Sequence, residues 1–581
     1  MPLHLFSRSK SSSGPSFSGQ PEKTSRGLRP LWVVVLSSLW IATVCNVALW
    51  RELARLPDLT AGQAATISVA LGLVITLATA ALLSLFAWRW TLKPVITIFL
   101  VSAALGAYFM MAYGIVIDKT MMVNTLQTDI KESRDLLNWR LVGTVFLMAV
   151  GPGFLLWRTT VRRQGVLRQI ASNAMTCVAA CALLLMVVFV FFQSIASVMR
   201  NHTQVRYLMN PLNSFYALGT LAASPLKRDE SKVLPLGEDA TLGASYTGQT
   251  KPPLLLLVLG ETARSGNFSI NGYTRPTTPK LALENIASQR NAWSCGTSTA
   301  ASVPCMFSNF GREAYDSRPA NYEGLLDVLQ RAGLAVLWID NQSGCKGACD
   351  RLTGSPAGPS VDTDGLKIPR LCSGGECLDE VMLDRIDEHI AALPADRRAK
   401  GVVVVMHQMG SHGPAYYKRS PAELKKFLPE CTTNALQTCT PEGLVNAYDN
   451  SIAYTDHFLS AAIQWLKSQE QRSSPAMIYV SDHGESLGEN NLYLHGMPFS
   501  IAPDVQKHVP WITWLSPGFE ARSSISTACL KQQLDTRVTH DNYFHSVLGI
   551  MNVQTSVYKP ALDMYVPCAK TASVTTSGVS K

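Results

Sequence analysis

The sequence predicts a two-part molecule: an N-terminal five-helix transmembrane bundle, then an α/β domain with a mostly parallel sheet flanked by helices. Three observations predict it. Apolar stretches of about 20 residues, the length that crosses a bilayer, are concentrated in the first 200 positions. After residue 250, short continuous apolar runs alternate with helix-like segments. Charged residues make up 16% of the 581-residue chain, well under the usual share of about 25% in soluble proteins.

Residues 1–30, which include the Ser/Gly/Pro-rich stretch from Ser9 to Ser18, read as a disordered cytoplasmic tail. Spans are predicted near 31–50, 64–88, 94–117, 141–157 and 172–198, so that 31–198 forms the membrane domain. The first span is too long for a signal-peptide apolar region and lacks a clear cleavage site, so it stays as an anchor. The tail carries five basic residues, the loop 88–93 carries Arg89 and Lys93, and the loop 158–170 carries Arg158, Arg162, Arg163 and Arg168. The alternate loops, 51–63 and 118–140, balance basic against acidic residues. By the positive-inside rule the N-terminus is cytoplasmic, and five crossings put everything after about residue 199 on the far side. The net charge of +9 has the same origin: residues 1–200 hold 18 basic and 7 acidic side chains, the remainder 33 and 35. It is a topology signal and gives no ground for nucleic-acid binding.

The cysteines agree with an exported domain. Cys45, Cys177 and Cys181 lie in spans as small apolar residues, and the other ten follow residue 290. Close spacing in an oxidising compartment reads as a disulfide framework. Proximity pairs Cys295 with Cys305, Cys345 with Cys349, Cys372 with Cys377 and Cys431 with Cys439, which leaves Cys529 and Cys568.

Residues 199–250 read as a linker and bridging segment, and 251–581 as the catalytic domain. Its strands are predicted at Pro253–Gly260, Leu334–Ile339, Gly401–Met406, Ala476–Val480 and Val509–Leu515, since such runs fit strands buried on both faces. Helical candidates lie between them at 321–332, 378–393 and 445–468. In such sheets ligands sit beyond the carboxyl ends of the strands. Those ends carry Glu261 and Thr262, then Asp340, Asn341 and Gln342, then His407 and His412, then Ser481, Asp482, His483 and Gly484.

Asp482 and His483 would point to opposite faces of a continuing strand, so they converge only if the chain turns at once, which Gly484 permits. With Glu261 they suit zinc or manganese. The hydroxyl-rich segment 294–306 suits a nucleophile, its small side chains letting backbone amides approach an anion. Composition leaves Thr297, Ser298, Thr299 and Ser302 equally open. His412 and His495 lie in Gly-flanked loops and, with His407, suit a second metal or acid–base work. Lys346 suits a phosphate oxygen. Asn124, Thr128 and Glu132, spaced by four, line one polar face of a helix. That face reads either as an amphipathic helix on the bilayer or as a headgroup site in which Glu132 pairs a cationic amine.

The segments GETARSGNFSINGY (260–273), SCGTSTAASVPC (294–305), NQSGCKGACD (341–350), HQMGSHGPAYY (407–417), AYDNSIAYTD (447–456) and SDHGESLGENNLYLHG (481–496) together resemble the phosphoethanolamine transferases. That family includes the lipid A-modifying enzymes of Gram-negative bacteria and the mobile colistin-resistance enzymes. The resemblance implies an alkaline phosphatase/sulfatase-like catalytic domain in the periplasm, tethered to the inner membrane and acting as a monomer. It implies zinc held by Glu261, Thr299, Asp482 and His483, with Thr299 the nucleophile. It assigns His412 and His495 to a second zinc or the substrate phosphate, Ser343 and Lys346 to the donor phosphate, and Asn124, Thr128 and Glu132 to the ethanolamine end. The implied reaction moves phosphoethanolamine from phosphatidylethanolamine to Thr299 and on to a phosphate of lipid A, giving resistance to polymyxin and other cationic peptides. Asn491 departs from the family pattern, which more usually has Gly there. Transfer of phosphoethanolamine or phosphoglycerol to a lipopolysaccharide core sugar or other periplasmic glycan is the alternative. A sulfatase activity is disfavoured because Cys295-Gly296-Thr297-Ser298-Thr299 lacks the Pro and Arg of that family's maturation motif. A non-catalytic membrane scaffold would hold no zinc.

Overall fold

The computed structural model describes residues 27–569, apart from 129, 163, 224–231, 354–359, 363–367, 369 and 374–375. The expected tail therefore lies, up to residue 26, outside the described residues.

The bundle contains four helices long and apolar enough to cross a membrane, with a bent pair as the fifth. The first span, expected near 31–50, is a bent pair, α1 (Pro30–Val44) and α2 (Val47–Leu53), meeting at 45°. The break is made by Asn46, whose Nδ2 donates to the carbonyls of Ile41 and Asn210 at 2.9 and 2.7 Å. Its Oδ1 accepts the Asn210 N–H at 2.9 Å, and Asn210 Nδ2 donates in turn to the carbonyls of Cys45 and Ala103. Within an apolar bundle every such group must be paired internally, so the two asparagines supply the bonds that the broken helix lacks.

Next comes α3 (Ala61–Leu85), started by a capping box between Thr60 and Gln63. Then α4 (Leu92–Tyr113) ends at Gly114, which is left-handed at φ 70°. Two short helices follow, α5 (Lys119–Gln127) and α6 (Ile130–Asp135), and then the spans α7 (Trp139–Arg158) and α8 (Val166–Val190). The last span thus starts and stops earlier than 172–198, because residues 192–201 form a separate helix, α9 (Phe192–Asn201). The segment that shows no clear period in sequence continues as α10 (Gln204–Tyr207) and α11 (Leu212–Ala222), and α11 packs against α5.

The catalytic domain is built on eight strands: β1 (Pro253–Gly260), β2 (Ile286–Trp293), β3 (Ala335–Asp340), β4 (Ser360–Asp362), β5 (Val402–His407), β6 (Ser474–Ser481), β7 (His508–Leu515) and β8 (Val538–Thr539). Their spatial order is β8-β2-β7-β6-β1-β5-β3-β4. The centre is parallel, while β7 runs antiparallel to both β6 and β2. Leu254, Leu256 and Val258 face one side with Leu444 and Ile463 of α14 (Pro441–Ser468). Leu255, Leu257 and Leu259 face the other with Leu325 and Leu329 of α13 (Leu325–Arg331) and Phe544 and Val547 of α15 (Tyr543–Ile550). Both faces of β1 are covered, which is why its apolar run has no alternation. Disulfides join Cys295–Cys305, Cys345–Cys349, Cys372–Cys377, Cys431–Cys439 and Cys529–Cys568.

The top of the bundle touches this domain. Tyr113 donates to the carbonyl of Asn434 at 3.3 Å, and Asp135 at the end of α6 pairs with Lys418 at 2.5 Å and Arg419 at 3.5 Å.

Candidate active site

The parallel register lines up four strand ends. Ser481 pairs with Gly260, and His407 lies beside Leu259 on one side and Asp340 on the other. Glu261 and Asp482 each follow a strand by one residue and meet above the central pair, both fully buried. Their carboxylates and the His483 imidazole bring ligand atoms within 4.8 Å of one another.

Thr299 begins α12 (Thr299–Met306), with Ser298 as its extended N-cap. Its Oγ1 is 3.1 Å from both Glu261 oxygens and 3.5 Å from His483 Nε2. Of the four hydroxyls that composition left open, Thr299 is the one hydrogen-bonded to this cluster: Thr297 donates to the Met497 carbonyl, Ser302 to that of Asp482, and Ser298 Oγ is buried without a hydrogen-bond partner. His483 Nδ1 donates to the Gly484 carbonyl at 2.9 Å, which leaves the Nε2 lone pair on the cluster.

The donor set fits a divalent cation. Asp482 Oδ2 is buried with no hydrogen-bond partner, and no Lys or Arg pairs with either carboxylate among the described residues. Burial pushes the Glu261 carboxyl up, but His483, His412 and His407 outweigh it and hold the group well below the usual carboxylate range. Burial and the Glu261 charge push Asp482 up to about 6. Burial lowers His483, yet Asp482 and Glu261 raise it to about 10. Two buried carboxylates thus compete for one imidazolium, a shortage that a metal bound through two oxygens, one nitrogen and a hydroxyl would relieve.

Close packing fixes the loops. Gly484 is needed here for close approach, since a Cβ there would lie 2.1 Å from the Val505 carbonyl oxygen, and its φ is not left-handed. Thr262 takes the left-handed conformation instead, at φ 60°, a genuine outlier for a β-branched residue. Its hydroxyl donates to Glu261 at 2.7 Å and its N–H to Asp482 Oδ1 at 3.1 Å.

His495 lies beside this group, its ring 4.4 Å from that of His483 and 5.5 Å from that of His412. Its Nδ1 donates to Glu485 at 2.8 Å, and Tyr416 donates to the other Glu485 oxygen. His407 donates to Asp340 at 3.2 Å and turns an unpartnered Nε2 toward Glu261 at 3.9 Å. Lys346 donates to Ser343 Oγ at 2.7 Å. No hydrogen bond joins either to Thr299; Lys346 instead shares a cavity of about 290 Å³ with Pro304 of α12.

The spacing of Asn124, Thr128 and Glu132 does not fall on one helix. Thr128 is extended at the end of α5, where its hydroxyl donates to the Asn124 carbonyl, and Glu132 belongs to α6. The Glu132 side chain lies outside the described residues. α5 nonetheless packs against α12, and Met121 on it fills the space beside Gly496.

Glu485 and His540 carry weight here that the sequence reading assigns to neither, and Thr262, named there only as a strand-end residue, proves to hold both carboxylates. Glu485 directly follows the Asp482-His483-Gly484 turn, a usable signal. His540 has none: it sits behind the cluster, accepting the Cys295 N–H at 3.1 Å and donating to the Ser481 carbonyl at 3.0 Å.

Comparison with known proteins follows the same division. The sulfatase family model matches residues 253–553, and the model described as phosphoethanolamine transferase EptA/EptB matches 75–226. The chain is 37% identical over 546 residues to the phosphoethanolamine transferase EptA of Escherichia coli K12, covering 92% of this chain and 96% of that one. It is 36% identical over 547 residues to the phosphatidylethanolamine transferase Mcr-1 of Escherichia coli, covering 92% and 97%. The solved integral membrane lipooligosaccharide phosphoethanolamine transferase A of Neisseria meningitidis superposes with a TM-score of 0.86 at 32% identity, covering 93% of this chain and 99% of that one.

Proposed function

The chain belongs to the phosphoethanolamine transferase family, and on that premise we propose that it moves phosphoethanolamine from phosphatidylethanolamine to a phosphate of lipid A through a phosphothreonine at Thr299. The observation that carries this reading is the convergence of Thr299 Oγ1 with Glu261 and His483 in one buried cluster.

Zinc held by Glu261, Thr299, Asp482 and His483 would lower the pKa of the Thr299 hydroxyl and offset the charge of the cluster. The Thr299 hydroxyl gives its proton to His495 as Oγ1 forms a bond to the donor phosphorus and the bond from phosphorus to the diacylglycerol oxygen breaks. The departing oxygen takes a proton from His495, whose Nδ1 is anchored on Glu485 so that Nε2 faces the substrate. A lipid A phosphate hydroxyl then gives its proton to His495 as its oxygen bonds to the same phosphorus, the Thr299–phosphorus bond breaks, and Thr299 Oγ1 takes that proton, which regenerates the hydroxyl. The amides at the N-terminus of α12 and Lys346 supply positive potential for the phosphoryl oxygens. Asn124 and Thr128 bind the ethanolamine end from α5, together with Glu132. His412 completes the phosphate site or would hold a second zinc.

The N-terminus is cytoplasmic, the bundle crosses the inner membrane, the catalytic domain is periplasmic, and the enzyme acts as a monomer. The acceptor class is carried over from relatives, among them the lipooligosaccharide phosphoethanolamine transferase A of Neisseria meningitidis.

The test is mass spectrometry of lipid A from cells expressing wild type or Thr299→Ala, with metal analysis of both purified proteins. Wild type should add phosphoethanolamine to lipid A and carry zinc, and Thr299→Ala should lose at least about 10³-fold in transfer. Modification of a core sugar alone would overturn the acceptor, and undiminished transfer by Thr299→Ala would overturn the nucleophile.

A further inference from the structure

The end of the bundle farthest from the catalytic domain holds a cavity of about 620 Å³, between the connections joining α3 to α4 and α7 to α8. Lys93, in the first turn of α4, lines it, while Tyr113 at the other end of α4 touches the catalytic domain. At a rise of about 1.5 Å per residue the two ends are about 30 Å apart, so this cavity is separate from the Thr299 site.

Its chemistry is one-sided. Trp88, Trp90 and Trp157 line it, and Arg89, Lys93 and Arg162 bring three cations. The Arg89 guanidinium lies 4.0 Å from the Trp90 ring centre. Lys93 Nζ is aimed by the carbonyls of Trp157 and Thr159 at 3.1 and 2.7 Å, which occupy two of its three donors. Gln169, 6% exposed, also lines it and is braced through its Nε2 on Asn173. The sequence has no Asp or Glu between Glu22 and Glu52, between Asp58 and Asp118, or between Asp135 and Asp229. The segments that build this end therefore carry no carboxylate to neutralise the cations.

We propose that this cavity binds the phosphodiester headgroup of an anionic phospholipid in the leaflet opposite the catalytic domain. Indole rings settle at the headgroup level of a bilayer, and each cation there adds attraction toward anionic lipid. The same charge pattern selects among lipids. A phosphatidylethanolamine headgroup would bring an ammonium into a cavity with three cations and no carboxylate, whereas phosphatidylglycerol brings only the phosphate charge and hydroxyls. The inference is independent of the transfer reaction and of its acceptor.

The full-length protein, delipidated in neutral detergent, is titrated with phosphatidylglycerol, phosphatidylethanolamine and inorganic phosphate and read by native mass spectrometry. One phosphatidylglycerol per chain should be retained about tenfold or more tightly than phosphatidylethanolamine. The double variant Arg89→Gln/Arg162→Gln should lose that preference, and Arg89→Lys/Arg162→Lys should keep it. Equal retention of the two lipids by wild type would overturn the proposal, as would unchanged preference in the Gln variant. Displacement of the lipid by millimolar inorganic phosphate would also overturn it, marking a simple anion site. If the Gln variant does not fold, quenching of tryptophan fluorescence by brominated phosphatidylglycerol, compared in wild type and Trp90→Phe/Trp157→Phe, decides: equal quenching in both refutes the site.

Discussion

Thr262 holds the two carboxylates of the candidate metal site from a backbone conformation that its side chain disfavours. Strain of this kind persists only where the surroundings impose it, and it clusters at functional sites. A pair of variants separates strain from hydrogen bonding. Thr262→Ala and Thr262→Gly both lose the bond to Glu261, so both should bind zinc about tenfold more weakly by metal-competition titration. Only glycine is at ease at φ 60°, so Thr262→Gly should be about 1 kcal/mol more stable than Thr262→Ala in denaturant unfolding. Equal stabilities would show that the site imposes no strain there. A second residue, outside the carboxylate cluster, sets a pH dependence of its own. Burial pushes the Asp563 carboxyl up to about 6, against the Tyr565 N–H and Tyr558 hydroxyl that donate to it. A carboxyl raised on folding contributes stability that is fully present below its unfolded pKa, near 4, and lost as the pH rises through about 6. Asp563→Asn should therefore melt close to wild type at pH 4 and a few degrees above it at pH 8. A gap that does not grow between those pH values would contradict the assignment.

At the scale of elements, α12 is eight residues long and contains Pro304, so its own hydrogen bonds hold it poorly. The Cys295–Cys305 bridge ties its C-terminal turn to the strand end before it, closing a loop of sequence separation 10 around Thr299. Loop-closure entropy assigns such a bridge about 2–3 kcal/mol, so Cys295→Ser/Cys305→Ser should lower the unfolding free energy by that amount in denaturant titration. A smaller loss, with activity intact, would mean that packing alone holds Thr299. Elements whose pattern is local were legible from sequence: Pro253–Gly260, Val402–His407 and Ser474–Ser481 are continuous apolar runs, and each is a strand whose end feeds the site. Strand β2, IASQRNAW, was not legible, because Arg290 and Asn291 interrupt its apolar pattern where it nears the sheet edge. The continuity read through Asn124, Thr128 and Glu132 failed because Thr128 leaves the helix. His540 was invisible because everything that gives it a role, Cys295 and Ser481, lies 245 and 59 residues away.

At the scale of the molecule, both substrates of the proposed reaction are lipids, so the catalytic domain must stay oriented over the bilayer. The contact between α6 and the loop after His412 provides that hold. Asp135 is 6% exposed and pairs with Lys418 and Arg419, and its backbone carbonyl accepts from Asn434 at 2.7 Å. Arg419 keeps Glu376 as a second partner, so Asp135→Asn removes the ion pairs between the two parts while leaving the apolar packing they share in place. Limited proteolysis of Asp135→Asn should release the catalytic domain several-fold faster than from wild type, with activity reduced on membrane-embedded donor. Unaltered release would assign the hold to the α5–α12 contact instead.

The asparagine pair inside the bundle has a consequence in time. Asn46 and Asn210 are 164 residues apart, so the ribosome has completed the first helix long before the segment that closes its break exists. At bacterial synthesis rates the interval is about 8–30 s. During it the amide of Asn46 faces lipid or translocon without its partner, and the backbone around Cys45 is best satisfied by an unbroken helix. The first segment should therefore enter the membrane straight and bend only when residue 210 docks. Nascent chains arrested before and after that point should place Cys45 in different environments, read by the accessibility of its thiol to a membrane-permeant label.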